Sequence, residues 1–362
     1  MRILFVALSK ETKTGARYTE EIIRQALSER HEVEFLYPNL RGDARLTSLL
    51  YLSCFGYLPL LKRGLYDLVF TSDNFVFADV VYVQPPAGQD AVLTWDEMLF
   101  TKSSKGHFRL LPALANSPLK TLISAHAQFI TNSNYSREVV RRNFGKDAFV
   151  IYPPVPTHLY QSLESNRENL IVTISGLNPR KNLGLIAEVG IKIPEAKFIL
   201  LGYYHKVHVH ILEHIQARFR TSGLGTNFVY VPSCPAKVKA KILSRAKVYF
   251  HPTPFEPFGI SIAEGMAAGC IPVTHDSGGP CEFVPGEWRY RSVEDAIAKI
   301  RYALETWNIR RATEFRSLAL RFEEGRFRNE ILDFVEEKFS RSCRMAGKLK
   351  PKDALAFSGG ES

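Results

Sequence analysis

The sequence predicts an α/β protein built as two doubly wound domains that face a cleft. Three observations lead there. Short apolar runs of buried parallel-strand type recur along the chain, each followed by a loop and an amphipathic stretch. That alternation starts twice, at Arg2 and again at Leu170. The chain of 362 residues exceeds one ordinary domain and suits two of about 170, each large enough for a core.

Composition narrows the function. Apolar residues make up 45% of the chain and charged residues 23%, as in soluble globular proteins. The net charge of +10 favours anionic partners: a nucleotide diphosphate, a phospholipid surface or nucleic acid. Nucleic acid is set aside, because the chain has no zinc-finger spacing, RNP-like aromatic motif or dense Lys/Arg run. The five cysteines, Cys54, Cys234, Cys270, Cys281 and Cys343, are odd in number and scattered, so a reducing compartment is expected.

In the first half, Arg2 to Leu8 reads as a strand with no apolar signal region before it, so a cytoplasmic location is expected. A loop through Lys13 to Ala16 leads to a helix with Tyr18, Ile22, Ile23 and Leu27 on one face, then to a strand over Glu32 to Tyr37. The loop lacks G-x-G-x-x-G, which argues against a nicotinamide site. Leu46 to Leu61, between Arg41, Arg45, Lys62 and Arg63, reads either as an ordinary core helix or as an interfacial segment at an anionic membrane. It is too short to span a bilayer. Further strands fall at Tyr66 to Phe70, at Asp79 to Val83 just before Gln84, and at Phe129 to Ser133, followed by a serine-capped helix. Phe149 to Tyr152 closes the domain, taken as 1–155, and the polar stretch 156–168 reads as a linker.

The second domain, 169–325, opens with the strand Leu170 to Ile174. The loop Ser175 to Asn182 then delivers Arg180 and Lys181 to that strand's C-terminal end, where open α/β sheets bind ligands. Strands at Ala196 to Gly202 and Asn227 to Val231 alternate with helices at Val207 to Arg220 and Ala236 to Ala246. His205, His208 and His210 lack other residues at ligand spacing, so no metal site is expected from them. Lys247 to Pro252 is a short buried strand, which places Glu256 on the loop at its end. After Pro257 and Gly259 a helix runs from Ile260 to Ala268, and Cys270 to Thr274 is the next strand. The backbone N–H groups of Phe258 to Ser261 then lie at a helix N-terminus, which attracts phosphate. Two glutamates eight residues apart are ordinarily both solvated, but Ile262, Ala263, Met266 and Ala267 surround Glu264 with small apolar residues, so its carboxylate needs a partner. Ser277-Gly278-Gly279-Pro280 is a glycine turn able to bring N–H groups to a ligand, and Ser292 to Asp295 resembles a capping box. Helices through Phe322 and over 326–340 follow, and 341–362 is expected to be a disordered tail.

The stretch Glu256 to Glu264, with Ala267-Ala268-Gly269 and Ser277-Gly278-Gly279-Pro280, resembles the E-x7-E signature of retaining nucleotide-sugar glycosyltransferases of the GT-B fold, the group of glycogen synthase and phosphatidylinositol mannosyltransferase. The part from His251 to Pro280 looks especially like the mannosyltransferases that extend lipid-linked oligosaccharides. The resemblance implies a hexose, with mannose the candidate sugar, moved from a nucleotide diphosphate sugar to a hydroxyl of a glycan or lipid-linked acceptor. It implies catalytic roles for Glu256 and Lys181, donor binding by Gly15, Gly176, Arg180, Lys181, Phe258, Gly259, Ile260 and Glu264, and a last helix that returns to the first domain. Glu264 would hold the ribose. Relatives commonly carry a histidine where this chain has Gln84, so Gln84 and His126 are the acceptor-side candidates, with His107 also weighed. Leu177 stands where the family usually has an arginine, and Arg180 is the candidate for that charge. Gly15 fits the diphosphate loop and equally an ordinary turn. No two aspartates stand two apart, so no D-x-D metal bridge, no metal and no cofactor beyond the nucleotide sugar are expected. Gln84 and Leu177 also suit a catalytically inactive nucleotide-sugar-binding or scaffold protein, the competing reading; retention of both glutamates and Lys181 weighs against it.

Overall fold

The computed structural model describes residues 1–7, 15–37, 55–72, 76–89, 91, 110–160, 163–203 and 206–346. Twelve strands among them form two six-stranded sheets in which every pairing is parallel. The first sheet holds β1 (Arg2–Val6), β2 (Glu32–Leu36), β3 (Leu68–Thr71), β4 (Val80–Val83), β5 (Gln128–Thr131) and β6 (Ala148–Val150), in the order β2-β1-β3-β4-β5-β6. The second holds β7 (Glu168–Ile174), β8 (Lys197–Gly202), β9 (Phe228–Pro232), β10 (Ala246–His251), β11 (Ile271–His275) and β12 (Arg289–Tyr290), in the order β12-β11-β10-β7-β8-β9. This is the GT-B arrangement of two doubly wound sheets. In the second sheet the chain leaves β7 first to one side and later to the other, so the crevice between β7 and β10 is its topological switch point, where α/β sheets bind ligands.

Parallel strands covered on both faces must be largely apolar, and the central strands β1, β3 and β4 are, whereas the edge strand β2 alternates Glu with apolar residues. In β1, β3 and β4, residues of one parity (Leu4, Val6, Val69, Val81, Val83) pack with Leu119, Ile123, Val139 and Val140 of the helices Leu110–His126 and Asn134–Phe144. Residues of the other parity (Ile3, Phe5, Leu68, Phe70, Val80, Tyr82) meet Ile22, Ile23 and Leu27 of the helix Gly15–Arg30. That same face is shared by Phe327, Ile331, Phe334 and Val335 of the final helix, Glu324–Ala346, although the chain has by then built the whole second sheet. Phe327 stands edge-on to Tyr82 at 6.0 Å between ring centres, and Tyr18 donates a hydrogen bond to Glu324. The final helix runs past residue 340, where the sequence reading ended it, because no glycine or proline follows Gly325 until Gly347. Residues 347–362 lie outside the described residues.

The two halves join at paired crossovers. Val155 donates its N–H to the carbonyl of Phe322 at 2.8 Å, so the chain leaving the first sheet runs beside the chain returning to it. Polar 156–168 is more than a spacer: Tyr160 and Arg167 are buried, at 4% and 6% exposure. Of the Leu46 to Leu61 segment, residues 46–54 lie outside the described residues; Phe55 is buried and Leu61 is 84% exposed. No helix among the described residues is long and apolar enough to cross a membrane.

Candidate active site

The site grows out of two loops at the switch point. After β7 the chain makes a short 3-10 turn, Pro179–Lys181, capped by Asn178, whose side chain accepts from the N–H of Arg180 at 2.9 Å. Asn182 follows in the left-handed region and donates to the carbonyl of Pro252 at 3.2 Å, while the Thr253 hydroxyl donates to the carbonyl of Lys181 at 3.2 Å. These bonds stitch the β7 loop to the β10 loop and fix the main chain at Lys181. Its ammonium lies 2.7 Å from Oε2 of Glu256.

Glu256 receives a second partner on the same oxygen: Nε2 of His251, the last residue of β10, at 3.2 Å. Burial pushes the Glu256 carboxyl up, but the Lys181 charge and the His251 hydrogen bond outweigh it and hold the group well below the usual carboxylate range. The loop itself is gripped by the turn after β11. Phe255, in the left-handed region at φ 51°, donates its N–H to the Ser277 hydroxyl at 2.7 Å, and Gly279 donates to the carbonyl of Glu256 at 2.8 Å. A Cβ at Gly278 would lie 2.4 Å from the carbonyl oxygen of Glu256, and one at Gly279 would lie 2.0 Å from that of Pro257. The paired glycines therefore serve loop-to-loop contact, and the N–H of Gly279, read from sequence as free for a ligand, is spent on Glu256.

Gly259, at φ 91°, turns the chain into the helix Ile260–Ala267; its carbonyl takes the N–H of Ile262 at 2.9 Å, and the N–H groups of Ile260 and Ser261 ahead of it have no acceptor within the helix. Phe258 is 1% exposed, its ring set among Tyr152, Phe283 and Phe322 at 4.9 to 5.8 Å between centres, so only its backbone can meet a ligand. Across the cleft, the first helix begins at Gly15, and a Cβ there would sit 3.2 Å from Cδ1 of Ile260. Two helix N-termini thus lie close together. Further along, Glu264 is 5% exposed and paired with Lys239 of the helix Ala236–Arg245, and the Tyr160 hydroxyl donates to it at 3.2 Å. The carboxylate found its partners in a lysine that sequence reading passed over and in a residue of the linker.

Other expectations fare differently. Gly176 borders open space, where a Cβ would meet nothing within 4 Å. Leu177, at the family's arginine position, is 2% exposed and part of the second core, so no charge could sit there without rebuilding it. Arg180 is exposed on its turn, and it is Lys181 that turns inward to Glu256. Gln84 follows β4 at its C-terminal end, with Nε2 3.5 Å from the carbonyl of Ala16, on the cleft side of the sheet. His126 is a correction. It ends the helix that precedes β5, packs edge-on against Phe77 at 6.0 Å, and so lies at the N-terminal edge of the strands, away from Gln84 and the cleft. A helix returning antiparallel to its sheet must end there. His107 and His205 lie outside the described residues. Among the described residues no group of three or more His, Cys, Asp or Glu is placed to hold a metal.

The first half also grips the second. The Ser133 hydroxyl donates to the carbonyl of Pro257 at 2.5 Å while capping the helix Asn134–Phe144 by accepting from Ser136. Glu282 accepts from the N–H groups of Asn134 and Tyr135, both at 3.0 Å, an anion placed where that helix's dipole is positive. Gly88 donates to the carbonyl of Phe255 at 3.2 Å. The loop bearing Glu256 is therefore braced from both sheets.

Comparison with known proteins agrees with this geometry. Residues 156–314 match the family model described as Glycosyl transferases group 1. A protein of Dictyostelium discoideum described as GDP-Man:Man(3)GlcNAc(2)-PP-Dol alpha-1,2-mannosyltransferase is 25% identical over 234 residues, which cover 58% of this chain and 46% of that one. A glycogen synthase of Fusobacterium nucleatum is 28% identical over 158 residues, 38% of this chain and 32% of its own. The chain thus spans less than half the length of these curated relatives. Among solved structures, Anabaena HepE in complex with UDP superposes with a TM-score of 0.71 at 16% identity, covering 93% of this chain and all of that one. Sucrose-phosphate synthase from Thermosynechococcus elongatus gives 0.71 at 14% identity, covering 94% and 99%. At such identities the likeness is one of fold.

Proposed function

We infer, for a chain that carries a glycosyl transferases group 1 domain on a GT-B fold, that it is a retaining glycosyltransferase. It moves a hexose, with mannose the first candidate, from a nucleotide diphosphate sugar to a hydroxyl of a glycan or lipid-linked acceptor, without a bound metal. The observation that carries this reading is the convergence of Lys181 and His251 on Glu256 at the switch point of the second sheet, beside the N-terminus of the helix that bears Glu264. The mannosyltransferase names among the relatives support the choice of sugar and of a lipid-linked acceptor. The net charge of +10 supports an anionic lipid surface as a further partner at the cytoplasmic face of a membrane.

In this reading the donor's diphosphate lies between the neighbouring helix N-termini at Gly15 and Ile260, with Lys181 supplying the nearest cationic side chain. As the bond from the sugar's anomeric carbon to the diphosphate breaks, negative charge grows on the leaving oxygen and positive charge on the sugar. Lys181 and the helix ends stabilise the first, and the Glu256 carboxylate the second. Because Glu256 stays ionised, it acts as an electrostatic partner rather than a proton donor.

A thermal-shift panel of nucleotide sugars identifies the donor, since a ligand that binds only the folded chain raises its stability by RT ln(1 + [L]/Kd). Lys181→Ala should then lower both donor affinity and turnover while the chain stays folded, each by roughly tenfold or more. An unchanged KM and kcat would remove Lys181 from the diphosphate site. EDTA should leave turnover intact; full loss restored by magnesium would overturn metal-free transfer. Hydrolysis of the donor in the absence of acceptor separates an enzyme from a nucleotide-sugar binder of the same fold.

A further inference from the structure

His251 is 2% exposed, yet it satisfies only half of its ring. Nε2 meets Glu256, and Nδ1 is buried without a hydrogen-bond partner among the described residues. A carboxylate only accepts, so the proton of a neutral ring belongs on Nε2, which makes Nδ1 the bare, unpaired nitrogen. An unmet buried polar atom is unfavourable, and an apolar side chain packed beside Tyr249, whose ring stacks on His251 at 6.2 Å, would avoid it. The compensation lies at Glu256. Lys181 alone would hold the carboxylate from the end of a flexible stem, whereas the imidazole comes from the last residue of a central strand with two torsions and a fixed plane. Both donors converge on Oε2 and neither takes Oε1.

We propose that His251 is a positioning residue for Glu256: its Nε2–H fixes the carboxylate so that Oε1 is the oxygen presented to the positive charge developing on the transferred sugar. The proposal rests on the glycosyltransferase reading above. It assigns His251 no contact with the substrate and no proton transfer, since Glu256 already carries its charge.

The test uses the full chain and the nucleotide sugar found by thermal shift, with kcat and KM measured for His251→Leu, His251→Gln, Glu256→Gln and the double variant His251→Leu/Glu256→Gln. His251→Leu should lose about tenfold in kcat with KM held within about twofold, the signature of an interaction made in the transition state. His251→Gln, whose amide reaches the same oxygen, should recover most of that loss. The double variant should be no slower than Glu256→Gln alone, because one residue acts through the other. Should His251→Leu not accumulate as folded protein, His251→Asn, polar but too short to reach Oε2, takes its place. Losses that multiply in the double variant, or a His251→Gln as slow as His251→Leu, overturn the proposal while leaving the transferase reading intact. A wild-type chain that binds nucleotide sugars but turns over none overturns that reading and the proposal with it.

Discussion

Replacing Arg167 by methionine is expected to lower the unfolding free energy by about 1–3 kcal/mol, read as a shifted midpoint in urea. The guanidinium is buried and its partners are mainly main-chain carbonyls: Ala246 at 2.6 Å, Leu243 and Glu164 at 3.3 Å, and Ala268. Leu243, Ala246 and Ala268 lie where two helices end, Ala236–Arg245 and Ile260–Ala267, and carbonyls at helix ends are under-satisfied: that of Leu243 has only the cap N–H of Ala246 within the helix. One cation thus closes the C-termini of the helix that carries Lys239 and the helix that carries Glu264, lying over the Trp307 ring at 4.9 Å. Methionine fills the volume but donates to none of these carbonyls, leaving Leu243 and Ala246 the weak Cys270 thiol and, for Leu243, the Ala246 N–H. Arg167→Lys should recover little, because a point charge cannot span both helix ends. A loss under about 1 kcal/mol would show that water or relaxation replaces the fork.

Glu256→Gln and Glu264→Gln should part company. Glu256 faces the centre that becomes more positive as the diphosphate leaves, so its amide should cut kcat by at least about tenfold, or 1.4 kcal/mol, with donor binding nearly kept. Glu264 holds an interaction that persists through the reaction, so its amide should mainly raise the donor KM. It should also destabilise the fold by roughly 2 kcal/mol, because Lys239 loses its carboxylate beneath Tyr160. Calorimetry in which Glu256→Gln loses donor binding while Glu264→Gln loses only turnover would exchange the two roles. The pH profile adds a check. With its carboxyl held well below the ordinary range, Glu256 stays ionised as the pH falls past the usual glutamate value of about 4.3, so the acid limb of kcat should not fall there. Lys181→Met, which removes the largest favourable charge, should bring that limb up toward neutrality.

Much of the fold could be read in the chain because most buried parallel strands are short apolar runs; the edge strand β2, with Glu32 and Glu34, stands out by alternation instead, and the two-residue β12 does not stand out. The helix Leu110–His126 does not, since its apolar residues keep no clean helical period and Pro118 lies inside it. The site was legible where chemistry sits close in sequence: Glu256, Glu264 and Lys181 fall on loops and helices at strand ends. What binds them was not. Lys239 resembles any solvated helix lysine, His251 the last residue of a strand, and Tyr160 and Arg167 occur in a polar stretch with linker composition. Each acquires its role from a residue 5 to 104 positions away. His126 was misplaced for a reason available from sequence, since a residue two positions before a parallel strand stands at the edge opposite the ligand crevice.

The final helix has a consequence for biosynthesis. Tyr18 and Glu324, which meet on one face of the first sheet, are separated by 306 positions, and the apolar face formed by Ile3, Phe5, Phe70 and Tyr82 is covered in part by Phe327 and Ile331. A ribosome releasing this chain exports the first sheet long before its lid exists. The second sheet, whose core draws almost wholly on residues after Val155, can mature on the way. The order of maturation should therefore be reversed relative to synthesis, with the amino-terminal half kept sticky and dependent on chaperones until translation ends. Nascent chains stalled before residue 324 should bind hydrophobic dyes and succumb to protease in their first half, and full-length release should abolish both.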